Sequence, residues 1–148
     1  MATIIKTIDI DAPADAVWDA VSDFGAVHRR FAPGFVTNVE LIPGARMVTF
    51  GNGLIVKELF LGIDQARRRL AYSVAERFAH HSASFQVDDL GAGKCRLTWT
   101  ADVLPDDVAA STVAPMMEQG LQVAKGVLGR ELIKLAPENS ALLFQPAG

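Results

Sequence analysis

A single cysteine, Cys95, in 148 residues excludes an internal disulfide and any cysteine-based metal cluster. Histidine is almost as scarce, with three in the chain, and no His-Glu-x-x-His helix accompanies them, so no metal site is expected. A nucleophile elbow is missing too. Positive charge is not in excess: the net charge is -3, and the run Arg67-Arg68-Arg69 is too short and isolated to make a nucleic-acid footprint. No apolar stretch is long enough to span a bilayer. The N-terminal residues lack the charged region and apolar run of a signal peptide, which makes a soluble, cytoplasmic protein the expectation. Repeats, low-complexity tracts and linkers are absent, so residues 1–148 read as one domain, with 136–148 as a tail of no usable period. What is present is a packed core in outline. Half of the residues are hydrophobic and 21% are charged, and a chain of this length can bury roughly 70% of its unfolded surface.

The pattern begins with a strand over Thr3–Ile10, where Ile4, Ile8 and Ile10 share a face. Asp11-Ala12-Pro13 stops it and opens a short helix bearing Val17, Trp18, Val21 and Phe24, with Asp15 in the dipole-favoured first turn. A second short helix, about Ala26–Phe31, closes at Pro33-Gly34. Strands are then expected over Phe35–Ile42, Arg46–Phe50, Leu54–Asp64 and Arg68–Glu76. Gly51-Asn52-Gly53 signals a type I′ hairpin turn rather than a phosphate cradle, because no Gly-Lys-Ser/Thr and no helix follow. The last two strands alternate most cleanly. His81, Ala83, Phe85 and Val87 share one face of the first, and Cys95, Leu97, Trp99, Ala101 and Val103 one face of the second.

The closing segment, roughly Thr112–Leu135, is amphipathic at helical spacing through Val113, Met116, Met117, Gly120, Leu121, Ala124, Val127, Leu128, Leu132 and Leu135. Thr112 is placed as N-cap, with Pro115 in the first turn. Gly120 interrupts the apolar stripe, and a glycine inside a helix costs about 1 kcal/mol relative to alanine. Either another side chain packs very close there, Trp99 or Phe85 being suited to it, or the helix borders open volume. The second reading is preferred, with Gly120→Leu expected to block a cavity. Gly126 and Gly129 fall on the outer face. An antiparallel sheet with one dry face and a single long apolar helix implies that the helix lies across the sheet.

This element order, with Ile10-Asp11-Ala12-Pro13-Ala14-Asp15-Ala16-Val17-Trp18, Ser22-Asp23-Phe24, Pro33-Gly34, Lys57-Glu58-Leu59 followed by Asp64, Arg69-Leu70-Ala71-Tyr72 and Leu97-Thr98-Trp99, resembles the Bet v 1-like or START-related superfamily. Its polyketide cyclase/dehydrase-like and lipid-transport-like members are nearest in character. The resemblance reaches to about Leu135. It implies an α+β helix-grip fold: a seven-stranded curved antiparallel sheet wrapped around a long C-terminal helix, with two short helices after the first strand. It also implies a cavity between sheet and helix for an apolar ligand.

The candidate site residues follow from that cavity. Glu58 shares a face with Val56 and Phe60 while Ile55, Leu59 and Leu61 line the other, so alternation alone leaves it either inward or on the rim paired with an arginine. By the resemblance it points inward, where desolvation would raise its pKa and suit it to hold a proton. His81 is in register with the apolar set and His80 is not, so the two cannot chelate one metal. Tyr72 shares a face with Leu70 and Val74, and its hydroxyl needs a partner if buried. Glu58, His81 and Tyr72 form the acid/base set if the protein is an enzyme. Phe31, Phe85, Trp99, Met116 and Gly120 complete the ligand-binding set. His28, beside Arg29 and Arg30, is either at the cavity mouth, where the guanidinium groups could meet a carboxylate, or on a solvated helix face. Cys95 reads as a small buried hydrophobe. The expected function is binding of a small hydrophobic or aromatic molecule, with no cofactor, and with or without cyclisation or dehydration of a polyketide-like substrate. The alternatives are a lipid or quinone carrier and a protein-interaction module of the chaperone co-factor type. A monomer and a homodimer are both compatible with the sequence.

Overall fold

The computed structural model describes residues 2–144, with side chains through residue 129. Strand β1 (Ala2–Ile10) leads into helix α1 (Ala14–Val21), a π-helical turn (Val27–Phe31), and then six strands in succession. These are β2 (Val36–Ile42), β3 (Ala45–Phe50), β4 (Ile55–Asp64), β5 (Arg69–Val74), β6 (His80–Gly91) and β7 (Lys94–Leu104). They form one antiparallel sheet in the order β1-β7-β6-β5-β4-β3-β2, so only β1 is placed out of chain order, closing against β7. A helical segment then runs from α2 (Asp106–Val108) through a second π-helical turn (Ala109–Val113) into α3 (Ala114–Phe144). This is the expected helix-grip arrangement of seven strands, two short helical elements and one long C-terminal helix.

The core lies between the sheet and α3. Ile8, Ile10, Leu70, Phe85, Val87, Cys95, Leu97, Trp99 and Val103 supply the dry face of the sheet. Val113, Met117, Leu121, Ala124 and Leu128 supply the buried stripe of the helix at three- and four-residue spacing. Leu132 and Leu135, assigned to the same stripe by periodicity, lie beyond the residues whose side chains are described. On the other side of α1, the Trp18 indole donates to Gln65 Oε1 at 2.8 Å, tying the helix to the β4–β5 turn.

Three local expectations are corrected. The C-terminal helical segment begins at Asp106 rather than Thr112. Asp106 and Asp107 occupy its first turn, where carboxylates meet the positive end of the helix dipole. Pro115 therefore sits inside a continuous helix, and the π-helical turn immediately before it loosens the ladder that a proline ring would otherwise clash with. The helix also continues past Leu135 to Phe144, taking in most of the segment expected to be a tail; residues 145–148 lie outside the described residues. At the β3–β4 hairpin the Phe50 N–H bonds Leu54 O at 2.8 Å, so three residues, 51–53, are enclosed rather than the two of a type I′ turn. Only Gly53 takes a positive φ, +90°; its N–H reaches Phe50 O at 2.9 Å, and Asn52 Oδ1 accepts the Leu54 N–H at 3.0 Å. A turn followed by one left-handed glycine is the next commonest hairpin solution.

Candidate functional site: a cavity with a buried ion pair

Strand alternation sends one face of β3 to β7 inward, and antiparallel register decides which inward residues meet. Arg46 lies opposite Glu58 across β3 and β4, Tyr72 opposite Ala83 across β5 and β6, and Phe85 opposite Trp99 across β6 and β7. Together with the π-helical turn and α3 they surround a cavity of about 240 Å³. Phe31, Val48, Val56, Leu70, Phe85, Trp99, Val113 and Met116 are among its apolar walls, and Arg46, Glu58, Tyr72 and His81 are the polar groups set into them. Leu54, Arg77 and Thr112 are exposed and mark its rim.

Glu58 points inward and is paired, which combines the two orientations the sequence left open. Arg46 and Glu58 are 4% and 6% exposed, so the pair is buried in an apolar surround. Arg46 Nε donates to Glu58 Oε1 at 2.8 Å and Nη2 approaches the same oxygen at 2.7 Å. Nη1 donates to the Phe24 carbonyl at 2.9 Å, and the guanidinium carbon lies 3.9 Å from the centre of the Phe24 ring. The carboxylate is therefore not isolated among apolar walls but held by the Arg46 guanidinium. Arg46 was absent from the expected site. Its signal was the alternation Arg46, Val48, Phe50 after the Pro43-Gly44 turn, which puts the arginine on the inward face.

Tyr72 and His81 are fixed by specific bonds. The Trp99 indole N–H donates to Tyr72 Oη at 3.0 Å, and burial, reinforced by the Glu58 carboxylate, pushes the phenol well above its ordinary pKa. His81 Nδ1 accepts the Val74 N–H at 3.0 Å, which leaves Nε2 to carry the proton of the neutral ring. The His81 ring lies between Phe78, stacked at 5.4 Å, and Tyr72 at 5.8 Å. Burial, with His80 second, lowers its pKa to about 4.

Gly120 borders the cavity and is also tightly covered. A Cβ there would come within 3.0 Å of Phe35 and 3.1 Å of Trp99. Both readings of the glycine thus hold, a border on the cavity and close packing; Trp99 was foreseen against it and Phe35 was not. Gly120→Leu is expected to lose about 1–3 kcal/mol in chemical denaturation, the usual cost of overpacking, instead of leaving stability untouched. Gly129, placed on the outer face by helical angle, has open space around it.

His28 does not line the cavity. It sits half-buried on the π-helical turn, and its Nδ1 is buried without a partner among the described residues. Arg30, beside it, is ion-paired to Asp23 at 2.9 Å and to Asp19 at 2.5 Å. Cys95 is fully buried, and burial raises its thiol to about 11, so it behaves as a small hydrophobe. Among the described residues no helix is long and apolar enough to cross a membrane.

Residues 1–129 match the model of a family described as polyketide cyclase/dehydrase and lipid transport. The chain belongs to that family. No curated protein matches it. Among solved structures, a START superfamily protein from Mycobacterium smegmatis aligns over 90% of this chain and 98% of its own, with 18% identity and a TM-score of 0.68. Norcoclaurine synthase from Thalictrum flavum, in complex with dopamine and hydroxybenzaldehyde, aligns over 86% of each chain with 23% identity and a TM-score of 0.62. The di-domain ARO/CYC BexL of the BE-7585A biosynthetic pathway aligns over 86% of this chain and 46% of its own, with 17% identity and a TM-score of 0.76. At these identities the likeness is one of fold, and that fold hosts more than one activity.

Proposed function

We propose that this member of the polyketide cyclase/dehydrase and lipid transport family holds a small apolar or aromatic molecule between sheet and helix, and carries it without changing it chemically. The observation that supports this most is the cavity itself, about 240 Å³, walled by aromatic and aliphatic side chains with a few convergent polar groups, the usual make-up of a small-molecule site. The choice of carrier over enzyme rests on the polar groups. A proton shuttle works best with a pKa near the working pH, and here the imidazole falls to about 4 while the phenol rises. Both move away from neutrality, and Glu58 is held by Arg46. The family description includes both cyclase chemistry and lipid transport, which supports a small-molecule partner without choosing between them.

Native mass spectrometry of the purified protein, followed by solvent extraction, tests this reading. The expected result is a co-purifying apolar molecule near one per chain, or stoichiometric uptake of a hydrophobic dye by ligand-free protein. A chain that holds no ligand and excludes the dye would sink the proposal. Chemical conversion of the extracted molecule by the protein would replace the carrier with an enzyme.

A further inference from the structure

The ion pair uses the two oxygens of Glu58 unequally. Both contacts from Arg46, through Nε and Nη2, fall on Oε1, and Nη1 is taken by the Phe24 carbonyl. Among the described residues nothing donates to Oε2, and Glu58 is on the cavity wall. The guanidinium is thus turned toward protein groups, and the atom left for a ligand is a carboxylate oxygen, an acceptor. The same cavity wall carries two donors: the Nε2–H of His81, set by the Val74 N–H on Nδ1, and the hydroxyl hydrogen of Tyr72, whose oxygen already accepts from Trp99. Tyr72 and His81 are neighbours at 5.8 Å between ring centres, and Tyr72 lies 5.5 Å from the Arg46 guanidinium. Among wall residues, the other arginine, Arg77, is exposed at the rim, so a ligand anion would find its cation there and not in the interior.

We infer that the buried end of the ligand carries a hydroxyl or phenol that donates to Glu58 Oε2, with Arg46 as the positioning residue, and that the interior selects against carboxylates. This rests on the cavity being a binding site at all. The chemical reason is that an oxygen already bearing charge, in a surround of low polarity, welcomes a donor and repels a second anion. The donors His81 and Tyr72 serve a ligand carbonyl or ether oxygen beside that hydroxyl.

The test is competition of naphthalene, 2-naphthol and 2-naphthoate against a bound hydrophobic dye at about pH 7, three probes sharing one apolar body. In the wild type, 2-naphthol should bind about tenfold or more tighter than 2-naphthoate, the discrimination expected of one hydrogen bond to a charged group. Glu58→Gln removes the repelling charge and releases Arg46, so the preference should narrow or reverse. Should that variant not fold, the double variant Arg46→Met with Glu58→Met removes both charges together, and 2-naphthol should lose its advantage over naphthalene. Equal or tighter binding of 2-naphthoate by the wild type, or an unchanged ratio in either variant, overturns the inference while leaving the cavity reading intact. Failure of all three probes to bind overturns both.

Discussion

Arg46→Met is expected to destabilise the protein by about 3–5 kcal/mol, because it leaves the Glu58 carboxylate buried without its partner. The geometry makes this a severe case. Both side chains are at most 8% exposed, and the guanidinium also holds the Phe24 carbonyl and covers the Phe24 ring. Losing it therefore unties the segment after α1 from the sheet as well as orphaning a charge. The double variant Arg46→Met with Glu58→Met should recover most of the loss, since well-packed apolar replacements of a buried pair are often neutral or stabilising. Urea denaturation of the four proteins of this cycle measures the coupling directly. A single variant within about 1 kcal/mol of wild type would mean that Glu58 finds water or another partner, contrary to its place in the wall.

Acid should weaken the fold by about 3 kcal/mol between pH 6.5 and 4, through His81. Its folded value of about 4 lies below the 6.5 of the free side chain. Across that window the unfolded chain binds the proton that the folded chain refuses, so stability falls as pH falls and is fully present above 6.5. The exposed carboxylates Asp9 and Asp64 respond lower down: a side-chain bond from Arg96 and a backbone bond from Arg67, respectively, hold them below 3.8. His81→Gln should flatten the slope between pH 6.5 and 4.5 in a denaturation series. A slope that survives in this variant would assign it to another group.

The parts of this structure legible in the sequence are those where one periodicity dominates. In β6 and β7 every inward residue is apolar or His81, and the alternation there gives the strands and the faces correctly. Glu58 was undecidable because β4 is apolar on both sides: Ile55, Leu61 and Ile63 are exposed at 57%, 54% and 41%, so hydrophobicity carried no direction. Arg46 was missed because a charged residue on a short strand reads as surface unless its cross-strand partner is known. That partner is set by the loop length of the β3–β4 hairpin, which the Asn52-Gly53 pair mis-signalled. The same limit applies to Gly120. Periodicity placed it on the buried stripe, but only the fold brings Phe35, from the far side of the sheet order, against it. The start of the C-terminal helical segment was placed too late because Thr112 is a good cap by composition, while Asp106 and Asp107 after Pro105 are an equally good first turn.

The position of a bound probe decides the central claim. Amide shift mapping by heteronuclear NMR, with 2-naphthol titrated into labelled protein, should perturb Val56, Leu70, Phe85 and Gly120, which border the cavity, and leave the outer row Ile55, Leu61 and Ile63 unchanged. Shifts confined to that exposed outer row, with the cavity residues silent, would contradict the account.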